Sequence, residues 1–355
     1  TIRFADNLST PVLTTTANGY HLELLGTTTN ITGTSATTTF LNTGNLVLGN
    51  AAGDTLTFAG GLTASAPTAI SAAGTLSTTN AAIVLGAAPV TLTGNTTVNA
   101  GTGAITLGGT VDGAYSLALN STGATTLAAA VGDGAALTSL TTNTGGTVVI
   151  QGARVNTTGA QRYAEPVTLS GNTTLTGAAI RFDDTVTGSG SLSVVGAATL
   201  NGATVTTQGA QTYNGAVTLL KNTVLDANAA QVSFTGTVDG GFDFVPGGFE
   251  VHGEADFGDH LGAFAADDVS TDDFTMRLTI ENLDEAFRLG GGEGLAAGDV
   301  GELADLELEA LFLRRTLGEA DAGDLRMAVG ATREDADFLG LVLGEHAFDR
   351  LHSLV

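Results

Sequence analysis

Paired carboxylates are the side chains in this sequence best placed to do chemistry: Asp183-Asp184, Asp267-Asp268 and Asp272-Asp273. Two carboxyls at the right separation can act as acid and base in glycoside cleavage, and several in one loop can chelate Ca2+ through their oxygens. Asp256, Asp259, Asp267 and Asp268 lie close in sequence and are the candidate Ca2+ ligands, which makes Ca2+ the one cofactor the chain suggests. Neither the Gly-Gly-x-Gly-x-Asp nonapeptide nor the EF-hand calcium loop is present, and a solvated acidic face accounts for the same residues more simply.

The remaining candidates are weaker. An extended strand would hold His252 and His260 about 27 Å apart, too far to share one ion without a turn. His346 and His352 read as surface residues of a helical tail, and Gly290 to Gly292 is a turn without the Lys-Ser/Thr of a phosphate cradle. A sugar-cleaving groove would want aromatic platforms, yet Trp is absent and Tyr numbers 4. A flat ice-binding array needs Thr at a fixed place in every coil, whereas the triplets Thr14 to Thr16, Thr27 to Thr29 and Thr37 to Thr39 are irregularly placed. With no Cys there are neither disulfides nor thiolate metal sites. No residue earns a catalytic role, and a non-enzymatic chain is the expectation.

What would position such groups is visible in a repeat. Val155 to Tyr163 reads VNTTGAQRY and Val205 to Tyr213 reads VTTQGAQTY, fifty residues on. Each is followed by a matching phrase, PVTLSGNTTL from Pro166 and AVTLLKNTVL from Ala216; then Ile180-Arg181-Phe182 answers Val232-Ser233-Phe234 at an offset of fifty-two. A third copy, PVTLTGNTTV, starts at Pro89, and Thr110-Val111-Asp112-Gly113 recurs as Thr237 to Gly240. Matched Val/Thr/Leu phrases around an insertion indicate short strands joined by loops of tolerant length.

Composition agrees with stacked coils. The 355 residues include 50 Gly and 5 Pro, with 43% hydrophobic, 5% aromatic and 14% charged residues, the opposite of a disordered chain. A parallel β-helix would set each strand on its counterpart one coil later, with Val, Leu, Ile and Ala pointing inward, Thr and Asn laddering outward, and Gly and Asn at left-handed corners. At about twenty residues per coil, the first 240 residues give about twelve coils and a rod of roughly 60 Å. A compact sandwich is the architecture this argues against.

The net charge of −24 is uneven: residues 1–240 hold ten acids and five bases, residues 241–355 twenty-six acids and seven bases. So acidic a surface disfavours nucleic acid as a partner. There is no apolar run long enough to form a transmembrane segment. The chain starts on Thr1, lacks a signal pattern, and reads as a piece of a longer polypeptide. Leucines at 303, 306, 308, 311 and 313 suit a short helix, and Asp335 to Leu351 a second. The expected division is therefore residues 1–280 as β-solenoid repeats and 281–355 as an acidic, partly helical continuation or cap.

The phrases TTGAQRY-AEPVTL, TQGAQTY-NGAVTL, GTVDG and VGDGAALTSLTTNTGG resemble the β-strand-repeat regions of large bacterial surface proteins of the filamentous haemagglutinin-like adhesin type. The likeness covers residues 89 to about 270 well and the first 88 more loosely. It implies an all-β, right-handed parallel β-helix, export to the surface of a Gram-negative-type cell, and a part in a stalk or adhesive fibre. Partners on that basis are neighbouring repeat segments or like subunits, and glycans or proteins of a cell surface or matrix. Two alternatives stand beside it: a repeating subunit of an extracellular filament or sheath, and a polysaccharide-active β-helix enzyme, for which Asp183 and Asp184 are the residues to test.

Overall fold

The computed structural model describes residues 1–240 apart from 203 and 229, together with the backbone of the strands Phe244–Gly247, Met276–Leu278, Met327–Gly330 and Leu339–Leu343. Through Phe244–Gly247 the fold is an all-β parallel solenoid. Its strands are short because each alternating apolar phrase ends at Gly, Asn or Asp, and each then pairs in parallel with the strand one coil earlier and one coil later.

Three faces result. On the first, one column runs through twelve coils, from Ile2, exposed in the first coil, through the buried Leu22, Leu46, Ile70, Val90, Val111, Val131, Val155, Leu175, Val194, Tyr213 and Phe234. Its steps put 19 to 24 residues in a coil. On the second face Leu140, Gln161, Ile180, Ala198, Val217 and Val238 stand in line. On the third the column is Thr38, Leu62, Ile83, Ile105, Thr125, Val148, Val167, Val186, Val205 and Leu225. These apolar columns meet in a continuous core, each buried Leu, Ile or Val contributing about 1.5–3 kcal/mol. Outward positions ladder as expected: Asn120 Nδ2 donates to Asn99 Oδ1 at 2.7 Å, and Asn228 Nδ2 to Gln208 Oε1 at 2.7 Å, each one coil apart.

One expectation about the repeat needs correcting. The like phrases do not stack on one another. Of the three PVTL-type copies, the one at 89–98 turns from the first face to the second, that at 166–175 from the third to the first, and that at 216–225 from the second to the third. Each corner of the coil is therefore built once from the same phrase. The offset of fifty spans two coils and two further faces, so it is no multiple of a coil. Nearly equivalent corners make this workable, because the same turn chemistry fits any of them.

The same buried threonine marks all three copies. Thr96 Oγ1 donates to Gly94 O at 2.9 Å, Thr173 to Gly171 O at 3.1 Å and Thr223 to Lys221 O at 2.8 Å. This hydroxyl satisfies a carbonyl that the turn leaves without a ladder partner. The two-residue insertion also falls at a corner. Thr173–Phe182 bends through its corner as one strand with a register shift, whereas the later copy uses a loop containing Asn228 at a φ of 49°.

Beyond the solenoid, Leu339–Leu343 pairs antiparallel with both Met276–Leu278 and Met327–Gly330. Leu339–Leu343 is thus a strand inside the segment expected to hold the second helix; Gly340 and the β-branched Val342 weaken the helical pattern of its leucines. The helix expected around Leu303 to Leu313 and the boundary at residue 280 lie outside the described residues.

Candidate functional site

The richest side-chain chemistry lies at two corners, where the GAQ-x-Tyr phrases place the same network twice. Gln161, fully buried, donates through Nε2 to Val155 O at 3.0 Å, to Thr157 Oγ1 at 3.4 Å and to Thr176 O at 2.8 Å, while its Oε1 accepts from Tyr163 OH at 3.0 Å. Gln211 repeats this with Val205 O at 3.0 Å, Thr207 Oγ1 at 3.1 Å, Asp226 O at 2.8 Å and Tyr213 OH at 3.0 Å. Each tyrosine then stacks on a phenylalanine of the next coil: Tyr163 on Phe182 at 5.5 Å and Tyr213 on Phe234 at 5.3 Å, both planes within 14°. Burial pushes both phenols far up, so each remains a proton donor. The network staples one coil to the next, with both glutamines and both tyrosines buried.

A second cluster sits on the outer side of the second face. Arg162 and Arg181 are in register one coil apart, and Asp183 lies between them, accepting from Arg162 Nε at 2.7 Å, Arg181 Nε at 2.6 Å and Asn201 Nδ2 at 3.2 Å. Burial would raise the Asp183 carboxyl, but the hydrogen bonds from Arg162, Asn201 and Arg181 and the charge of Arg162 outweigh it and hold the group below its ordinary range. Asp184 turns its Oδ1 to Thr185 N at 2.7 Å. The acid pair singled out in the sequence is thus divided between an ion bridge and a turn.

Glu165 escaped the sequence reading, having no acidic neighbour to draw attention to it. It is 1% exposed at the corner between the second and third faces. Its Oε2 accepts from Gly146 N at 2.8 Å, and its Oε1 has no partner. A Cβ on Gly146 would come within 2.6 Å of that Oε2, so the glycine makes room for the carboxyl. Burial pushes the Glu165 carboxyl up to about 7, against the downward pull of the Gly146 amide and the Thr142 hydroxyl. With the folded value above the ordinary 4.5, the folded chain holds this proton more tightly than the unfolded chain. Stability contributed here is therefore present below about pH 4.5 and is lost as pH rises to about 7. In thermal melts from pH 4.5 to 8, the parent is expected to lose at most about 3 kcal/mol relative to Glu165→Gln, which cannot ionise.

No protein-family model, curated protein or solved structure matches this chain. The site therefore rests on its own geometry. Among the described residues no three His, Asp or Glu side chains gather into a group that could hold a metal ion. The candidate Ca2+ ligands Asp256, Asp259, Asp267 and Asp268 lie outside the described residues, as do Asp272, Asp273, His252, His260, His346, His352 and Gly290 to Gly292. The threonine triplets do not gather either: Thr28-Thr29 is in a second-face strand and Thr38-Thr39 in a third-face strand. No described helix is long and apolar enough to cross a membrane.

Proposed function

We propose that the chain is a non-enzymatic segment of a large bacterial surface protein, a right-handed β-helical stalk or adhesive fibre displayed outside a Gram-negative-type cell. The observation that carries this reading is the interchange of corners. A phrase that serves equally at three different corners is kept for the shape it builds, as a spacer requires, whereas a catalytic groove needs particular residues fixed on one face. The right hand follows from the general preference of parallel β-crossovers. Asp183 supports the same reading: a carboxyl held ionised between two arginines is poorly suited to donate a proton to a glycosidic oxygen. Neighbouring repeat segments, and the glycans or proteins of a facing surface, are its partners.

The test is gold labelling of intact cells with an antibody raised against residues 1–240, alongside small-angle scattering of the purified chain. Label standing off the outer surface, with a rod-like scattering cross-section about 60 Å long, is the expected result. Label seen only after lysis, a compact scattering profile, or polysaccharide cleavage abolished by Asp183→Asn would overturn it.

A further inference from the structure

The third face differs from the other two in what it turns outward. Its central outward residues stand in register along nine strands: Thr39, Thr63, Val84, Thr106, Thr126, Val149, Thr168, Thr187 and Thr206. Every one is β-branched and none is charged. The ridge stops at Asp226, the next residue in that register. By contrast, the first face turns Arg3, Glu23 and Asp112 outward and the second Arg162, Arg181 and Asp239.

The flanks of the ridge are low. Over three successive coils the strands read Ala82-Ile83-Val84-Leu85-Gly86, Ala104-Ile105-Thr106-Leu107-Gly108 and Ala124-Thr125-Thr126-Leu127-Ala128, so Ala and Gly line a shallow valley on each side. The flanks of the other six strands, from Thr37 to Gln208, are also uncharged, so a two-fold axis can bring the whole face against a copy of itself, with the ridge of one copy in the low flanks of the other over these three coils.

We infer that two copies of this chain pack laterally through the uncharged third face, the Thr/Val ridge of one copy meeting the low Ala/Gly flanks of the other around Val84, Thr106 and Thr126. Area and charge both point to a second copy as the occupant. Nine strands at about 4.8 Å and five residues at about 3.3 Å give roughly 700 Å² per copy, or about 1,400 Å² in all, within the range of specific interfaces. A chain with net charge −24 repels its own copies, so close approach requires a face free of charge. A cationic partner would instead favour the acidic surfaces.

Charge repulsion also gives the pairing a signature. Salt screens the repulsion and leaves the uncharged contact intact, so association tightens as ionic strength rises. Sedimentation of the full chain from about 1 to 100 µM, in low and in high salt, is the experiment. A monomer–dimer equilibrium whose Kd falls several-fold in high salt is expected. Thr106→Arg with Thr168→Arg should abolish it, and Thr91→Arg on the first face should leave it unchanged. The strand content and melting of each variant, followed by circular dichroism, check that it folds. A parent that stays monomeric throughout overturns the inference whatever the variants do, as does a dimer indifferent to the third-face arginines or weakened by salt. A monomer that shapes growing ice would assign the ridge to water instead. Pairing and display on a cell are separate properties, so failure of either leaves the other standing.

Discussion

Gln161→Leu is expected to destabilise the solenoid by about 3–4 kcal/mol, although it swaps one buried side chain for another of similar size. The amide nitrogen serves Val155 O and Thr176 O, and the amide oxygen serves Tyr163 OH, all inside the coil. Leucine fills the space and leaves two carbonyls and a hydroxyl without partners at about 1 kcal/mol or more each. Tyr163→Phe removes only the donor and should cost about 1 kcal/mol. Because the two groups share a hydrogen bond, the double variant should lose less than the sum of the singles, and denaturant melts of all three measure the difference. Equal, additive losses would mean that the stacked ring, and not the network, holds the coils together. Gln211→Leu should behave alike, since the cassette is the same at a different corner.

Gly196→Ala is expected to be as damaging through one methyl group, at about 3 kcal/mol or more. Gly196 has a φ of 126°, and a Cβ there would run into the carbonyl oxygen of Gly177. It belongs to a stack, Gly159, Gly177, Gly196, Gly215 and Gly236, in which each glycine lies against its predecessor in the coil before. A Cβ on Gly177 would stand 2.9 Å from Gly159 O, and one on Gly236 2.6 Å from the Gly215 carbonyl carbon. Gly171, by contrast, has open space where its Cβ would be, so Gly171→Ala is the control and should melt close to the parent.

The strand phrases were legible because their signal is local. Val90-Thr91-Leu92 and Val167-Thr168-Leu169 alternate between core and solvent as their residue types require, and Gly and Asn punctuate them. Twelve coils followed from phrase spacing alone. Which phrase stacks on which did not, since register depends on coil length, and coils of 19 to 24 residues let a repeat of fifty drift from face to face. The glycine stack was hidden for a related reason. Glycine suggests a turn when read in sequence, but of these five only Gly196 has positive φ; the others are needed because backbone passes where a side chain would stand. Glu165 was invisible because its raised proton affinity comes from burial in a folded corner, against the opposing pull of Gly146 nineteen residues away.

All ladder hydrogen bonds of the solenoid run along the rod, from each coil to the next. A tensile load applied end to end therefore meets them a few at a time, and the end coil peels before its neighbour is disturbed. Each peeled coil pays out 19 to 24 residues of chain, about 65–80 Å in place of the 4.8 Å it occupied. The two Gln-Tyr staples mark where peeling should pause. Under an end-to-end load the solenoid therefore lengthens in discrete steps and absorbs work with each coil it releases.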